Sequence, residues 1–192
     1  MMGVSMTDSS KLDRMTNLSL VTSKFSLLVI TVAIIINIFS WVKPELILEK
    51  YGLGFSLTER ILPNFDIYSF SWWQLTGGIL ITSIPLSSLI FSLWALHQLF
   101  RSYSQRDYFS KKTARYLGFA GWGVIGWSML DILCEPLLTL WLTMNELQGG
   151  HFISISLTAG HFVAFFMSAC LAIISRILYQ ACDIYAENQS II

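Results

Sequence analysis

The sequence predicts an all-α fold of four transmembrane helices with both termini in the cytoplasm, on three observations. Charged residues make up 12% of the 192 and hydrophobic residues 54%, against an ordinary charged share of about 25%; a water-facing globule of this size could not cover its surface. The charges are bunched, and the gaps between them are long enough to cross a hydrocarbon core about 30 Å thick. Lysine and arginine also fall on alternate sides of those gaps, the asymmetry that orients helices in a membrane.

Residues 1–24 form a polar tail. Between Lys24 and Lys43 lie 18 uncharged residues, 25–42, enough for one untilted helix. The run is longer than the roughly 7–15 apolar residues of a secretory signal, and Ser40-Trp-Val-Lys-Pro44 offers no small-x-small cleavage site, so the helix reads as retained. The loop over 43–72 is too charged to span. Within it, Pro44 to Tyr51, followed by Gly52, reads as a short helix, and Ser56-Leu-Thr-Glu59 has capping-box spacing for another, stopped by Pro63. Leu46, Ile47, Leu57, Ile61 and Phe65 would let both lie on the membrane surface, as plain interfacial packing or as a lid or partner surface.

The next uncharged run, 67–100, has 34 residues. Tyr68 to Trp73 reads as an interfacial approach, and the second helix occupies about 73–100. A basic loop, 101–116, follows, with Ser110 placed to cap the helix that begins there. The third helix occupies about 117–144, a turn 145–151, and the fourth helix about 152–179, with Arg176 as its first formal charge. Residues 180–192 form a short tail, too small to be a domain.

Nine basic residues fall on one side: Lys11, Arg14, Lys24, Arg101, Arg106, Lys111, Lys112, Arg115 and Arg176. The 43–72 loop has three, Lys43, Lys50 and Arg60, against four acids. The first side is therefore cytoplasmic, which places the chain as a multi-pass protein of the inner (plasma) membrane. Indoles favour the water–lipid boundary: Trp41, Trp72, Trp73 and Trp141 fall at the outer level, Trp94 and Trp122 near the inner one, and Trp127 inside.

Most local motifs dissolve on inspection. Cys134 and Cys170 differ in depth by roughly 12 Å, too far for a disulfide, Cys182 lies on the reducing side, and no CxxC is present, so all three read as packing residues. Gly121-Trp-Gly-Val-Ile-Gly126 matches a dinucleotide fingerprint in letters only, because that motif needs a strand before it; with Gly118 it reads as a face that lets a neighbouring helix approach closely. His97 and Arg101 read as snorkelling to the interface.

Asp131 and Glu135 remain. Four residues apart, they share a helix face near mid-membrane, where each acid costs about 2.5–3.5 kcal/mol on insertion scales. They should face the bundle, neutral or paired. His161 and Glu135 each lie about 13 residues from the middle of the 145–151 turn, which puts them at one depth in a simple hairpin. Ser154, Thr158, His161 and Ser168 read as a polar stripe on helix four. Pro136, and Pro85 among Thr82, Ser83, Ser87 and Ser88, predict kinks whose freed carbonyls the hydroxyls satisfy. A small cavity lined by Asp131, Glu135 and His161 follows. It serves either as a structural hydrogen-bond network or as a ligand or ion site. No metal-ligand motif, cofactor motif or catalytic nucleophile accompanies it, so neither a metal, a cofactor nor an enzyme is expected.

Leu99-Phe-Arg-Ser-Tyr103, Phe109-Ser110 and Leu117-Gly118 resemble the segment between the second and third helices of a bacterial family, and Arg176-Ile-Leu with Ala186-Glu-Asn-Gln-Ser-Ile-Ile192 resembles its tail. That family is domain of unknown function two-nine-seven-five. The resemblance implies a four-helix inner-membrane protein whose gene often accompanies a small helix-turn-helix regulator. One departure is visible: Arg106-Asp107 stand where the family has a turn glycine. The set Asp131, Glu135 and His161 is not carried over from the family.

Function stays divided between two classes. The leading expectation is a non-enzymatic sensing or signalling component whose basic residues, Arg101, Arg106, Lys111, Lys112 and Arg115, dock a cytoplasmic partner or anionic lipid. A DNA-binding regulator is the partner the resemblance implies, since the chain has no nucleic-acid-binding domain of its own. The alternative is a small ion- or proton-coupled transporter subunit using Asp131, Glu135 and His161. With four helices and no internal repeat, that role calls for a homo-oligomer.

Overall fold

The computed structural model describes residues 6–43, 57–61, 70–107, 110–144 and 153–190, with side chains at 14–43, 57–58, 60–61, 70–107, 110–144 and 153–185. The helix expected over 44–51, the Ser56 cap and the 145–151 turn lie outside them. The described residues are all-α and form five helices: α1 (Met6–Val42), α2 (Leu57–Ile61), α3 (Trp72–Ser104), α4 (Lys111–Thr143) and α5 (Ala159–Ser190). Among the described residues four segments are long and apolar enough to cross a membrane: Arg14–Val42, Trp72–Ser104, Lys111–Thr143 and Ala159–Tyr185. The shortest has 27 residues, about 40 Å at 1.5 Å per residue, more than the hydrocarbon needs. Their outward faces keep side chains such as Leu28, Leu133 and Phe166 exposed, while Asp131, Glu135 and His161 are buried, a distribution compatible with helices that cross a membrane.

The helices overrun the charge-defined spans, because a charge marks where a helix leaves hydrocarbon whereas the helix itself runs on to a cap. α3 opens on a capping box, Ser71-Trp-Trp-Gln74, in which the Ser71 N–H donates to Gln74 Oε1 (3.0 Å). α4 opens at Lys111, ahead of the apolar span from about 117 and directly after Ser110, the cap expected from the sequence: the Thr113 N–H donates to Ser110 Oγ (3.3 Å). The fourth span needs the largest correction. Residues 153–158 are not helical and α5 begins only at Ala159, so Ser154 and Thr158 do not share a helical stripe with His161 and Ser168.

Packing divides the chain into two compact units, 1–29 with 91–122 and 166–192, and 30–90 with 123–165. In the first, His97 does not snorkel. Its Nδ1 donates to the Ser23 carbonyl (2.9 Å) and Ser23 Oγ returns a bond to the His97 carbonyl (3.3 Å), tying α3 to α1. Ser92 Oγ donates to Ala120 O (2.8 Å) and Ser175 Oγ to Ala114 O (2.7 Å). α4 lies against α5 through Gly118 and Gly121; a Cβ on Gly118 would stand 2.8 Å from Ser175 Oγ, and one on Gly121 3.3 Å from Ser168 O.

In the second unit Trp41, Leu57, Ile61, Cys134, Leu138 and Leu142 form the core. Two tryptophans expected as outer-level anchors are packing residues. Trp41 lies on Gly78 and Trp141 on Gly77, where any Cβ would overlap the indole. Their Nε1 atoms donate to Thr82 Oγ1 (3.3 Å) and to Gln74 O (3.1 Å). Trp72 alone of the outer four is almost fully exposed. Pro85 and Pro136 sit inside α3 and α4. Pro85 deprives the Ile81 carbonyl of its partner, yet Thr82, Ser83 and Ser87 bond Gly78, Ile79 and Ile84, and Ser88 crosses to Gly123 of α4 (3.0 Å). The hydroxyls thus serve neighbouring carbonyls and α4.

α3 ends in a Schellman motif: the Asp107 N–H donates to Ser102 O (3.1 Å) and the Arg106 N–H to Tyr103 O (3.0 Å). The motif puts Arg106 at φ 64°, the left-handed region that glycine enters freely and other residues reach at about 1–2 kcal/mol. The turn therefore keeps the glycine geometry without the glycine. Arg106→Gly should stabilise the protein by about 0.5–1 kcal/mol after the extra backbone entropy of glycine is subtracted. Arg106→Ala, which keeps the backbone strain, should not. Thermal unfolding of both variants in detergent distinguishes them, and equal midpoints would rule out strain at this turn.

Candidate functional site

Asp131 and Glu135 lie one turn apart on α4, each 2% exposed. Two ionised acids at this spacing repel, and neither can hydrate, so a cation must come from elsewhere. It comes from α2. Leu57 and Ile61 of that five-residue helix pack with Cys134, Leu138 and Leu142 of α4, which turns Arg60 toward the acids between them. One guanidinium nitrogen, Nη2, donates to Asp131 Oδ2 and the other, Nη1, to Glu135 Oε2 (3.3 Å) and Ser156 Oγ (2.9 Å). The planar fork of arginine lets a single side chain bridge two carboxylates.

The non-helical 153–158 segment supplies the second side of the site. Its sequence alternates Ile153-Ser-Ile-Ser-Leu-Thr158. Ile153, Ile155 and Leu157 are exposed, and Ser154, Ser156 and Thr158 turn inward. That is the period of two of an extended chain. Ser154 Oγ and Ser156 Oγ each donate to Glu135 Oε1 (2.8 Å), and Ser156 also lies 2.7 Å from Oε2. The Ser154 N–H reaches Thr139 Oγ1 (3.3 Å).

His161 closes the site from the first turn of α5. The Thr158 N–H donates to His161 Nδ1 (3.0 Å) and the His161 N–H to Thr158 O (3.0 Å), a capping box with imidazole in the place usually taken by glutamate or glutamine. Because Nδ1 accepts a backbone N–H, it carries no proton, and Nε2 carries the hydrogen donated to Asp131 Oδ2 (3.0 Å). Asp131 Oδ2 thus receives both Arg60 and His161. Asp131 Oδ1 is buried with no hydrogen-bond partner among the described residues.

Arg60, Ser154 and Ser156 are therefore members of the site beside Asp131, Glu135 and His161. In the sequence Arg60 stands only as one charge of the 43–72 loop, and the signal for the serines is the period-two alternation. The space read as a cavity is occupied by the Arg60 guanidinium. Among the described residues no group of three or more His, Cys, Asp or Glu side chains could hold a metal ion.

The basic residues read as a docking set are exposed and only partly convergent. Lys111 pairs with Asp183 and stands 5.4 Å from the Tyr179 ring centroid, and Arg115 stands 5.9 Å from the same ring. Lys112 turns to Tyr116 instead (5.9 Å). Arg101 and Arg106 lie at the end of α3.

A family model described as "Protein of unknown function (DUF2975)" matches residues 55–192, a stretch that includes α2 through α5 and every residue of the site. No curated protein and no solved structure matches the chain.

Cys134, a free thiol 3% exposed beneath α2, reports directly on whether α2 is docked. Removing one partner of a buried ion pair costs about 3–5 kcal/mol; Arg60 is 24% exposed, so the lower end applies. Arg60→Gln, with Cys170 and Cys182 replaced by alanine, should raise the rate of maleimide labelling of Cys134 at least tenfold. An unchanged rate would show that Leu57 and Ile61 hold α2 without the ion pair.

Proposed function

The chain belongs to the DUF2975 family of proteins of unknown function, and for this member we propose a non-enzymatic sensing or signalling role in the inner membrane. The observation behind the proposal is the ionic clamp: a five-residue helix held to the acids of a membrane-length helix by one arginine. An element with a docked and an undocked state, separated by loss of one ion pair, is a switch of the order–disorder kind. With both termini cytoplasmic, as the nine-to-three distribution of basic residues favours, α2 faces the outside and the exposed Arg101, Arg106, Lys111, Lys112 and Arg115 face the cytoplasm. In this reading they contact a cytoplasmic protein, a DNA-binding regulator being the leading candidate. Catalysis is not the reading preferred here, because the acids are engaged by Arg60 and two serines, and where a hydroxyl does meet the imidazole, Thr158 Oγ1 at 3.1 Å from His161 Nδ1, that nitrogen already accepts the Thr158 N–H.

One observation favours the second reading, a proton- or ion-coupled transporter subunit. Two carboxylates share one guanidinium and a neutral imidazole, and Asp131 Oδ1 is unpartnered among the described residues. A proton or small cation would neutralise the surplus charge there.

The two readings separate experimentally. On purification of the full chain from native membranes in mild detergent, a cytoplasmic protein should co-purify in stoichiometric amount. It should be lost on Lys111→Gln with Lys112→Gln, and its retention should change on Arg60→Gln. Recovery of no partner counts against signalling. Flux in reconstituted vesicles that Asp131→Asn abolishes, with folding intact, would establish the carrier instead. A reporter fused after Ile192 should read cytoplasm; a periplasmic signal would reverse both faces.

A further inference from the structure

The acidic site does not exhaust the polar chemistry of the molecule. In the other compact unit, α4 and α5 form a groove of about 460 Å³ whose lining includes Arg115, Gly118, Trp122, Ser175, Arg176 and Tyr179. We propose that this groove binds one anionic phospholipid of the surrounding bilayer, with Arg115 and Arg176 on its phosphate.

The groove exists because of its glycine. Gly118 lets Ser175 approach so closely that a Cβ would stand 2.8 Å from the hydroxyl, and Ser175 Oγ fixes the approach by donating to Ala114 O (2.7 Å). The floor is thus made of small residues, while the longer side chains at the neighbouring turns form walls. Arg115, Gly118 and Trp122 are spaced three and four apart on α4, and Ala172, Ser175, Arg176 and Tyr179 likewise on α5, so each set lines one helix face.

Charge selects the ligand. Asp183 also lines the groove, but Lys111 pairs with it, which leaves Arg115 and Arg176 as a net double positive charge. Neither arginine makes an ion pair among the described residues. Arg115 is held over the Tyr179 ring, 5.9 Å from its centroid, which orients its fork without neutralising it. Paired guanidinium groups match a phosphate's oxygens bidentately, and basic pockets between transmembrane helices are recurrent sites for anionic head groups.

Depth selects a lipid over a soluble anion. Trp122 lies seven residues beyond Arg115 along α4, about 10 Å at 1.5 Å per residue. The polar layer of a leaflet is about 5–7 Å thick, so a phosphate at the arginines puts the start of an acyl chain short of Trp122. The indole is 68% exposed, and the groove side of α5 at this level is Ala172, a flat apolar path for a chain. A phosphate alone would use the arginines and leave that path bare.

Native mass spectrometry of the full-length protein in mild detergent, titrated with phosphatidylglycerol or phosphatidylcholine of equal chain length, tests the proposal. Wild type should bind phosphatidylglycerol at least tenfold more tightly than phosphatidylcholine. Arg115→Gln with Arg176→Gln, both exposed positions, should reduce that preference to twofold or less, while Arg101→Gln with Lys112→Gln should leave it intact. Phosphatidylglycerol brominated in its acyl chains should quench the fluorescence of wild type, and Trp122→Phe should remove that component. Equal affinity for the two lipids, equal loss in both double variants, or displacement of the lipid by millimolar inorganic phosphate would overturn it. None of these readouts depends on α2 or on a protein partner.

Discussion

Sealing two carboxylates from water one helical turn apart costs several kcal/mol per ion, and their repulsion adds to it. Nothing else on α4 can offset that. The compensation has to be imported, and the shape of one compact unit reflects how it is done. Arg60 needs α2 in place, so Leu57 and Ile61 bind the apolar residues of α4 on the same side as the acids. Glu135 needs donors on both oxygens, so 153–158 stays extended and directs Ser154 and Ser156 at it. Asp131 takes its second donor from His161, and α5 starts where that imidazole can both cap the helix and reach the acid. Three separate stretches of chain are positioned by a single electrostatic debt.

The two acids are not equivalent, and the difference has a mechanical consequence. Glu135 receives Arg60, Ser154 and Ser156, whereas Asp131 receives its donors on one oxygen and leaves the other bare among the described residues. A change in charge or occupancy therefore acts first at Asp131. From there it has two routes, to α2 through Arg60 and to the first turn of α5 through His161. Loss of the negative charge would weaken both bonds together, since both end on Oδ2. Asp131 is thus the point at which α2 and the α5 cap are coupled.

What the sequence disclosed and what it hid divide along physical lines. Charge gaps located four membrane-length helices, because hydrocarbon excludes charge whatever the fold does. They misplaced the ends, because helices end at caps, and the capping signals were local: Ser71 with Gln74, Ser110, and Thr158 with His161. The acid pair stood out by its cost, but Arg60 looked like any loop cation, since only the docking of α2 brings it to residues 71 and 75 positions away. Ser154 and Thr158 fit a helical stripe with His161 by spacing alone, whereas Ile-Ser-Ile-Ser-Leu-Thr repeats every two residues, and Ser156 carries no helical signal at all. Trp41 and Trp141 followed the general preference of indoles for interfaces until Gly77 and Gly78 opened a place inside.

The cation of the clamp is the less firmly embedded half. The acids are 2% exposed and embedded in a helix of 33 residues, whereas Arg60 is 24% exposed on a helix of five. A helix that short lies well below the roughly 12–15 residues at which an isolated helix becomes marginal in water, so α2 owes its helical form to its contacts. Docking and folding of α2 are then one event. Losing the ion pair removes part of what keeps the segment ordered, and any outside agent that competes for Asp131 or for Arg60 shifts that equilibrium by its differential affinity for the two states. α4 is unlikewise placed: its backbone bonds lie within a membrane-length helix, so the acids stay where they are when the arginine leaves. The site thus joins a helix that needs its contacts to fold, α2, to one that holds its shape without them, α4.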